Sequence, residues 1–271
     1  MLDRRSILGS MAALAVSSGR AGAAPDGSRS PLDSKLPRTP QEHLTAIVRL
    51  VASLDEVDVP WWYRGIVYAQ QENKAPLPIF KMEGVETYWF RHGGDGSYWV
   101  SARTLSFLRD AKTDEMIYEF DNPFTGDVNE VKPNMFGGND VEHYTADGIT
   151  SPAVSSVPKT GPLAFDWNTV GPHVFLLKDR ASLDMPQPFL EAQSPSAPLG
   201  AFLDPSIRSL PSYFSSTWIS PYPEWMNMGE IPGHTIWHST GGKLSSIGEL
   251  PTEYLNRARA DYPDSLSARP E

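Results

Sequence analysis

Three groups of side chains have types and spacings that can do chemistry. His234 and His238 stand four residues apart in GHTIWHS. Two imidazoles on one helix turn bind zinc, because positions i and i+4 share a face. Here Pro232-Gly233 precedes the pair and Thr235, Ile236 and Trp237 favour a strand. On a strand the two positions also share a face but lie about 13 Å apart, too far for one ion at about 2 Å from each nitrogen. No Glu follows the first His, so the metalloprotease pattern is missing. No metal or cofactor is expected, and His234 and His238 are read as structural or ligand-lining, with His238 also a candidate proton-transfer group.

The second group is GGNDVEHY, which brings Asp140, Glu142 and His143 together in a Gly-rich stretch. Carboxylates with imidazole can hold a hard cation or act as general acid and base. The plainer alternative is a solvated turn in which Asn139 and Asp140 bond the local backbone. Asp140 and His143 are the candidates for catalysis. The third group is Arg64, Arg91 and Arg103, each set among aromatic residues. A guanidinium on a buried strand needs a carboxylate partner, such as Glu83, Glu86 or Glu119, or an anionic ligand. Serines lack a Gly-x-Ser-x-Gly elbow, and GGDG fits a hairpin rather than a dinucleotide or phosphate loop.

Bulk properties narrow the classes. The chain has 271 residues, is 40% hydrophobic and 11% aromatic, and carries a formal charge of −10. That supports a sizeable core and argues against nucleic acid, whose phosphates require Lys and Arg. Cysteine is absent, which excludes disulfides, thiolate metal sites and a Cys nucleophile. The 25 prolines and 21 glycines, with so many aromatics, point to a loop-rich β protein.

The first residues read as an export signal. Arg4-Arg5 precedes a short, weakly apolar run from Ile7 to Val16, and Arg20 and the small-residue site Ala21-Gly22-Ala23 follow. The pair in DRRSILG is similar to a twin-arginine signal, which implies the export machinery that carries folded proteins to the periplasm. Shedding residues 1–23 removes Arg4, Arg5, Arg20 and Asp3 and leaves the rest more acidic still. Residues 24–38 are rich in Ser, Pro and Gly and read as a disordered leader, and residues 39–271 as one β-rich domain. No later run is apolar enough for a stable membrane span.

The elements that must position the candidates follow from periodicity. Thr39-Pro40-Gln41-Glu42 has the form of a capping box, and Leu44, Ile47, Val48 and Val51 give a helical stripe ending near Leu54. WWYRGIVYAQ, PIFKMEG, and VETYWF with SYWVSARTLSFL across Gly93–Gly96 read as successive strands, continued by EMIYEF and DVNEVKP. Asn134 to Pro162 reads as a long loop, LAFDWNTV and HVFLLKDR as strands, and Met185 to Pro205 as a second proline-rich loop. SYFSSTWIS and HTIWHS close the set, and LPTEYLNRARADYP forms a short helix with Thr252 as its cap.

Trp61, Tyr63 and Val67 alternate with Trp62, Ile66 and Tyr68, so both faces of that strand are apolar. The expected fold is mainly β: an antiparallel meander closing into a barrel-like, calycin- or lipocalin-like sheet with an N-terminal and a short C-terminal helix. Such a barrel can hold one small ligand. Trp61, Tyr63, Arg64, Trp89, Arg91, Trp218, Trp225, Met228, His234 and Trp237 are the candidate ligand-binding residues. Pro221, Pro223 and Gly229 shape a turn between Trp218 and Trp237, and this whole stretch reads as a wall shared by core and pocket.

Three blocks of the sequence resemble the domain of unknown function 1838 family. They are STWISPYPEWMNMGEIPGHTIWHSTGGKLSSIGELP, DAKTDEMIYEFDNPFTGDVNEVKPNMFGGND and WWYRGIVY. Glu224 stands where the family carries proline before the tryptophan. The resemblance implies no particular activity. Two functions remain: binding of a small apolar or aromatic molecule, or a cofactor-independent isomerase, lyase or hydrolase acting on an aromatic or terpenoid-like one.

Overall fold

The computed structural model describes residues 35–151, 161–182 and 189–270. The expected signal peptide and most of the leader lie outside the described residues. Helix α1 (Pro40–Val51) starts as its sequence dictates. The Thr39 hydroxyl accepts from the Glu42 N–H, and the Glu42 carboxylate accepts from the Thr39 N–H at 2.9 Å. Leu44, Ile47, Val48 and Leu50 are fully buried, each worth roughly 1.5–3 kcal/mol.

Three long strands follow: β1 (Asp58–Gln70), β2 (Leu77–His92) and β3 (Tyr98–Asp110). The two strands expected on either side of Gly84 are one, because Gly84 pairs mid-ladder with Tyr63 and Ser106. The hairpin turn at Gly93–Gly96 joins β2 to β3 as read. EMIYEF and DVNEVKP yield only β4 (Glu119–Asp121) and β5 (Val128–Glu130), a separate small hairpin.

Both expected loops contain strands. Asn134 onward forms β6 (Asn134–Thr145) and β7 (Gly148–Thr150). Its glycines and acids mark irregularities inside a strand: Gly137 takes φ +108°, Asp140 takes φ +47°, and the register shifts between Val100 and Ala102 opposite them. Phe136, Val141 and Tyr144 supply the packing that overrides the loop-like composition. Then come β8 (Trp167–Val170), β9 (His173–Leu176) and β10 (Lys178–Ser182). The second proline-rich passage forms β11 (Phe189–Pro198) and the short α2 (Leu199–Leu203). Last are β12 (Tyr213–Ser220), β13 (His234–Lys243) and α3 (Thr252–Asp261). Helix α3 is capped at Pro251 with no side-chain bond, so the cap expected at Thr252 is corrected: Thr252 is already helical.

The large sheet is antiparallel, in the order β7-β6-β3-β2-β1-β13-β12-β11-β9-β8, with β10 also on β11. The expected mainly β, antiparallel sheet is present and curled, and among the described residues no ladder joins its two ends into a barrel. The curl explains the doubly apolar strands. Trp61, Tyr63 and Val67 face the concave side. On the convex side Val85, Leu105, Phe107 and Trp62 pack under Tyr254, Leu255 and Ala258 of α3. One interior cluster packs beneath α1 and includes Trp61, Phe90 and Tyr144. Another, with Val67, Phe80 and Trp237, packs against Phe120 and Phe124 of the small-hairpin region and the turn holding Trp225.

Candidate functional site

Between these two clusters the concave side leaves a hollow of about 50 Å3. Tyr63 of β1, Glu86 of β2, Ser106 of β3, Phe136 of β6, Trp218 of β12 and Trp237 of β13 line it. Register places them. Tyr63, Gly84 and Ser106 form one row across three strands, and Glu86 sits one row along, opposite Trp61 and Thr104. Because Gly84 has no side chain, the Tyr63 ring lies across β2 and reaches Ser106, the two hydroxyl oxygens 2.5 Å apart. A Cβ at Gly84 would stand 2.6 Å from the Tyr63 hydroxyl and 2.7 Å from the Ser106 oxygen.

Among the described residues Glu86 is the one carboxylate lining this hollow. Its Oε1 is out of solvent and has no hydrogen-bond partner among the described residues. Burial pushes its pKa up to about 7; Glu191 adds to the rise, while bonds from Tyr88 and Thr104 and the charge of Lys178 oppose it. The same burial raises the Tyr63 phenol, which therefore keeps its proton. The site thus sets a carboxyl whose pKa lies near neutrality and a pair of hydroxyls among four aromatic rings, Phe136, Phe214, Trp218 and Trp237, with Asn134, Gln193, Ser216 and Ser239 also in the lining.

Trp218 and Trp237 meet with their rings tilted by 31° and centroids 5.7 Å apart, and the Trp237 N–H donates to the Thr235 hydroxyl at 2.9 Å. Trp225 and Met228 belong instead to the solid cluster around Phe80, and Trp225 Nε1 is buried without a hydrogen-bond partner among the described residues. The stretch from Ser216 to Lys243 therefore divides: its two strands face the hollow and its turn fills the core. Trp61 points inward beneath α1, its N–H donating to the Val51 carbonyl at 2.7 Å. Trp89 faces the convex side of β2.

The remaining candidates do not converge on the hollow. Arg64 is exposed on the convex side and pairs with Asp114 at 2.9 Å. Arg91 pairs with Asp140 at 3.1 Å. Arg103 donates to Asn139 at 2.6 Å. His238 is exposed and bonds the Thr217 hydroxyl at 3.1 Å. His234 starts β13 opposite Gln70. Among the described residues no group of three His, Asp or Glu side chains is placed to hold a metal ion.

His143 stacks on Trp99 at 4.0 Å, and its Nε2 lies 2.9 Å from the Ser97 hydroxyl. Both line a wider cleft of about 340 Å3. A serine nucleophile there would need an oxyanion hole. Three of the nearby N–H groups are already spent: Gly93 on the Ser97 carbonyl, Gly96 on the Gly93 carbonyl and Ser97 on Asp95. The pair ties the hairpin turn to β6.

Sequence reasoning passed over Glu86, Ser106 and Phe136 as lining residues. The signal for Glu86 was present: it shares the inward parity of Phe80, Met82 and Tyr88 on a strand apolar on both faces.

Residues 56–140 match a family model described as Protein of unknown function (DUF1838). The matched stretch carries Tyr63, Glu86, Ser106 and Phe136, whereas Trp218 and Trp237 lie beyond it. No curated protein matches the chain. The matched stretch, which includes four of the hollow's lining residues, is similar to the domain of unknown function 1838 family and supports the resemblance that the sequence blocks carry.

Proposed function

We propose that this is an exported protein that takes the head of a small, largely apolar or aromatic molecule into the hollow of its curled sheet. The observation that carries the reading is the Glu86 Oε1 among aromatic walls, which has no hydrogen-bond partner among the described residues. Leaving such an oxygen buried and unpaired costs about 1–3 kcal/mol, which a hydroxyl or amide N–H on a ligand removes. Size limits the guest. A water needs about 10–15 Å3, so about 50 Å3 admits roughly four water-sized groups. Sites for drug-sized ligands measure about 300–1,000 Å3. The head enters, and the body lies outward along the seam between β6 and β12.

A second reading, a cofactor-independent isomerase, lyase or hydrolase on an aromatic or terpenoid-like molecule, is favoured by one observation. Glu86 has a pKa of about 7, near the value best suited to proton transfer at neutral pH.

Native mass spectrometry of protein isolated from its own cells tests binding. The expected result is a retained organic molecule that is lost when Ser216→Phe fills the hollow. Recovery of the wild type with no bound molecule, and no thermal shift from any small aromatic alcohol or ketone, refutes the reading.

Export to the periplasm is supported by Arg4-Arg5, the weak apolar run and Ala21-Gly22-Ala23. Replacing Arg4 and Arg5 together with lysine is expected to leave uncleaved precursor in the cytoplasm. Normal processing of that variant would remove the twin-arginine assignment.

A further inference from the structure

We infer that the hollow is a proton-transfer site for a small ketone or enone, in which Glu86 moves the proton of the carbon beside the carbonyl and the Tyr63–Ser106 pair holds the carbonyl oxygen. This deepens the binding reading and rests on it.

The geometry carries the assignment. Glu86 lies two residues along β2 from Gly84, whose row holds Tyr63 and Ser106. Rows two residues apart are separated by about 7 Å. A C–C=O unit spans that distance with a hydrogen bond at its oxygen and a C–H against the carboxylate. The hydroxyl pair can supply that bond. Tyr63 and Ser106 carry two O–H protons, and the 2.5 Å contact between them uses one. The other is left to donate to a guest oxygen. The unpartnered, buried Oε1 of Glu86 is the acceptor for the moving proton. The aromatic rings of Phe136, Trp218 and Trp237 give the guest's carbon atoms apolar surface beside both, and the hollow's mouth lets the Glu86 proton exchange with solvent.

The step balances without a cofactor. The Glu86 carboxylate takes the proton, and the C–H electron pair becomes a C=C bond. The carbonyl π pair moves to oxygen, giving an enolate held by the hydroxyl. Glu86 then returns the proton to the same carbon, or to the far carbon of a conjugated system. Nothing is oxidised or reduced, and the carboxylate is restored.

The groups facing Glu86 set its titration. Glu191 on β11 raises its pKa, Lys178 on β10 lowers it, and Thr104 on β3 and Tyr88 on its own strand donate to it. Tyr63 on β1 and Tyr144 on β6 are phenols raised by burial, and so stay neutral.

The test uses the purified protein in D2O with cyclopentanone as probe. Loss of the ketone's α protons is followed by proton NMR, and saturation transfer on the same sample reports contact with the protein. The expected result is exchange faster than in buffer, with a rate that rises through an inflection near pH 7. Glu86→Gln is expected to lose about 100-fold or more of that acceleration while saturation transfer persists, and Tyr63→Phe about 10-fold or more. Saturation transfer with exchange unchanged by Glu86→Gln overturns the proton-transfer inference and leaves binding standing. Absence of both signals overturns both. A wild-type profile with no inflection between about pH 6 and 8 overturns the inference without recourse to any variant.

Discussion

Phe136 on β6 meets Trp218 on β12 edge-on, with ring centroids 5.6 Å apart, although β3, β2, β1 and β13 separate their strands in the sheet. A flat sheet would hold strands five steps apart at roughly 24 Å. The contact therefore measures how far the sheet has curled, and it spans the concave side above the hollow. Edge-to-face rings contribute about 0.5–1.5 kcal/mol beyond the area they bury. Phe136→Ala is expected to cost about 1–3 kcal/mol in urea unfolding and to expose Trp218 to acrylamide quenching. Unchanged quenching would show that this pair does not guard the seam.

The crossing of Tyr63 over Gly84 makes a sharper prediction. An added methyl at that position meets the phenol hydroxyl at 2.6 Å. Either the ring swings away from Ser106 or the strands part. Gly84→Ala is expected to destabilise by about 1–3 kcal/mol through overpacking. Ser106→Ala, which removes one hydroxyl and adds nothing, should cost less. Equal costs would mean that the glycine is not what admits the ring.

How far the sequence foretold this site depends on which physical signal each residue carried. Helix α1 was legible because its cap and its stripe are local. Strands β1, β3, β12 and β13 were legible because aromatic and β-branched runs have few other uses. Strand β6 was not, since Gly137 and Asp140 read as turn residues when they are irregularities within a ladder. Nor was β11, where Pro195 and Pro198 hid a strand. The arginines were noticed for their charge, yet Arg64 and Arg91 found carboxylate partners away from the hollow. Glu86 was passed over because its neighbours across the hollow come from β11, β12 and β13, more than a hundred residues away in sequence. Curl and strand order decide those encounters, and neither has a short-range signature.

Beneath α3, Arg109 binds Glu83 at 2.6 Å and Glu253 at 2.8 Å, and the Glu83 side chain is only 4% exposed. The hydrogen bond that the guanidinium donates to Glu83 holds it well above its ordinary pKa. Removing one member of such a pair strands the other charge. Arg109→Met is expected to cost about 3–5 kcal/mol, and the double change with Glu83→Leu considerably less. The two variants, compared by urea unfolding, decide the matter: a double variant as unstable as the single one would show that the pair itself holds α3 in place.

Glu86 makes stability depend on pH in a direction opposite to most carboxylates. Its pKa rises from 4.5 to about 7 on folding. Below 4.5 it is neutral in both states, and its burial adds no penalty. Between 4.5 and 7 the unfolded chain ionises first, so the folded state binds more protons and stability falls as pH rises. Above 7 the loss is complete, at roughly 3 kcal/mol. Glu86→Gln abolishes this titration while keeping the shape. Its stability relative to wild type should therefore climb by roughly 3 kcal/mol between pH 4 and pH 8 in urea titrations. A constant difference across that range would mean that Glu86 ionises in the folded protein as it does in water. Its Oε1 would then have to be reached by solvent, and the buried, unpaired oxygen on which the site is argued would not exist.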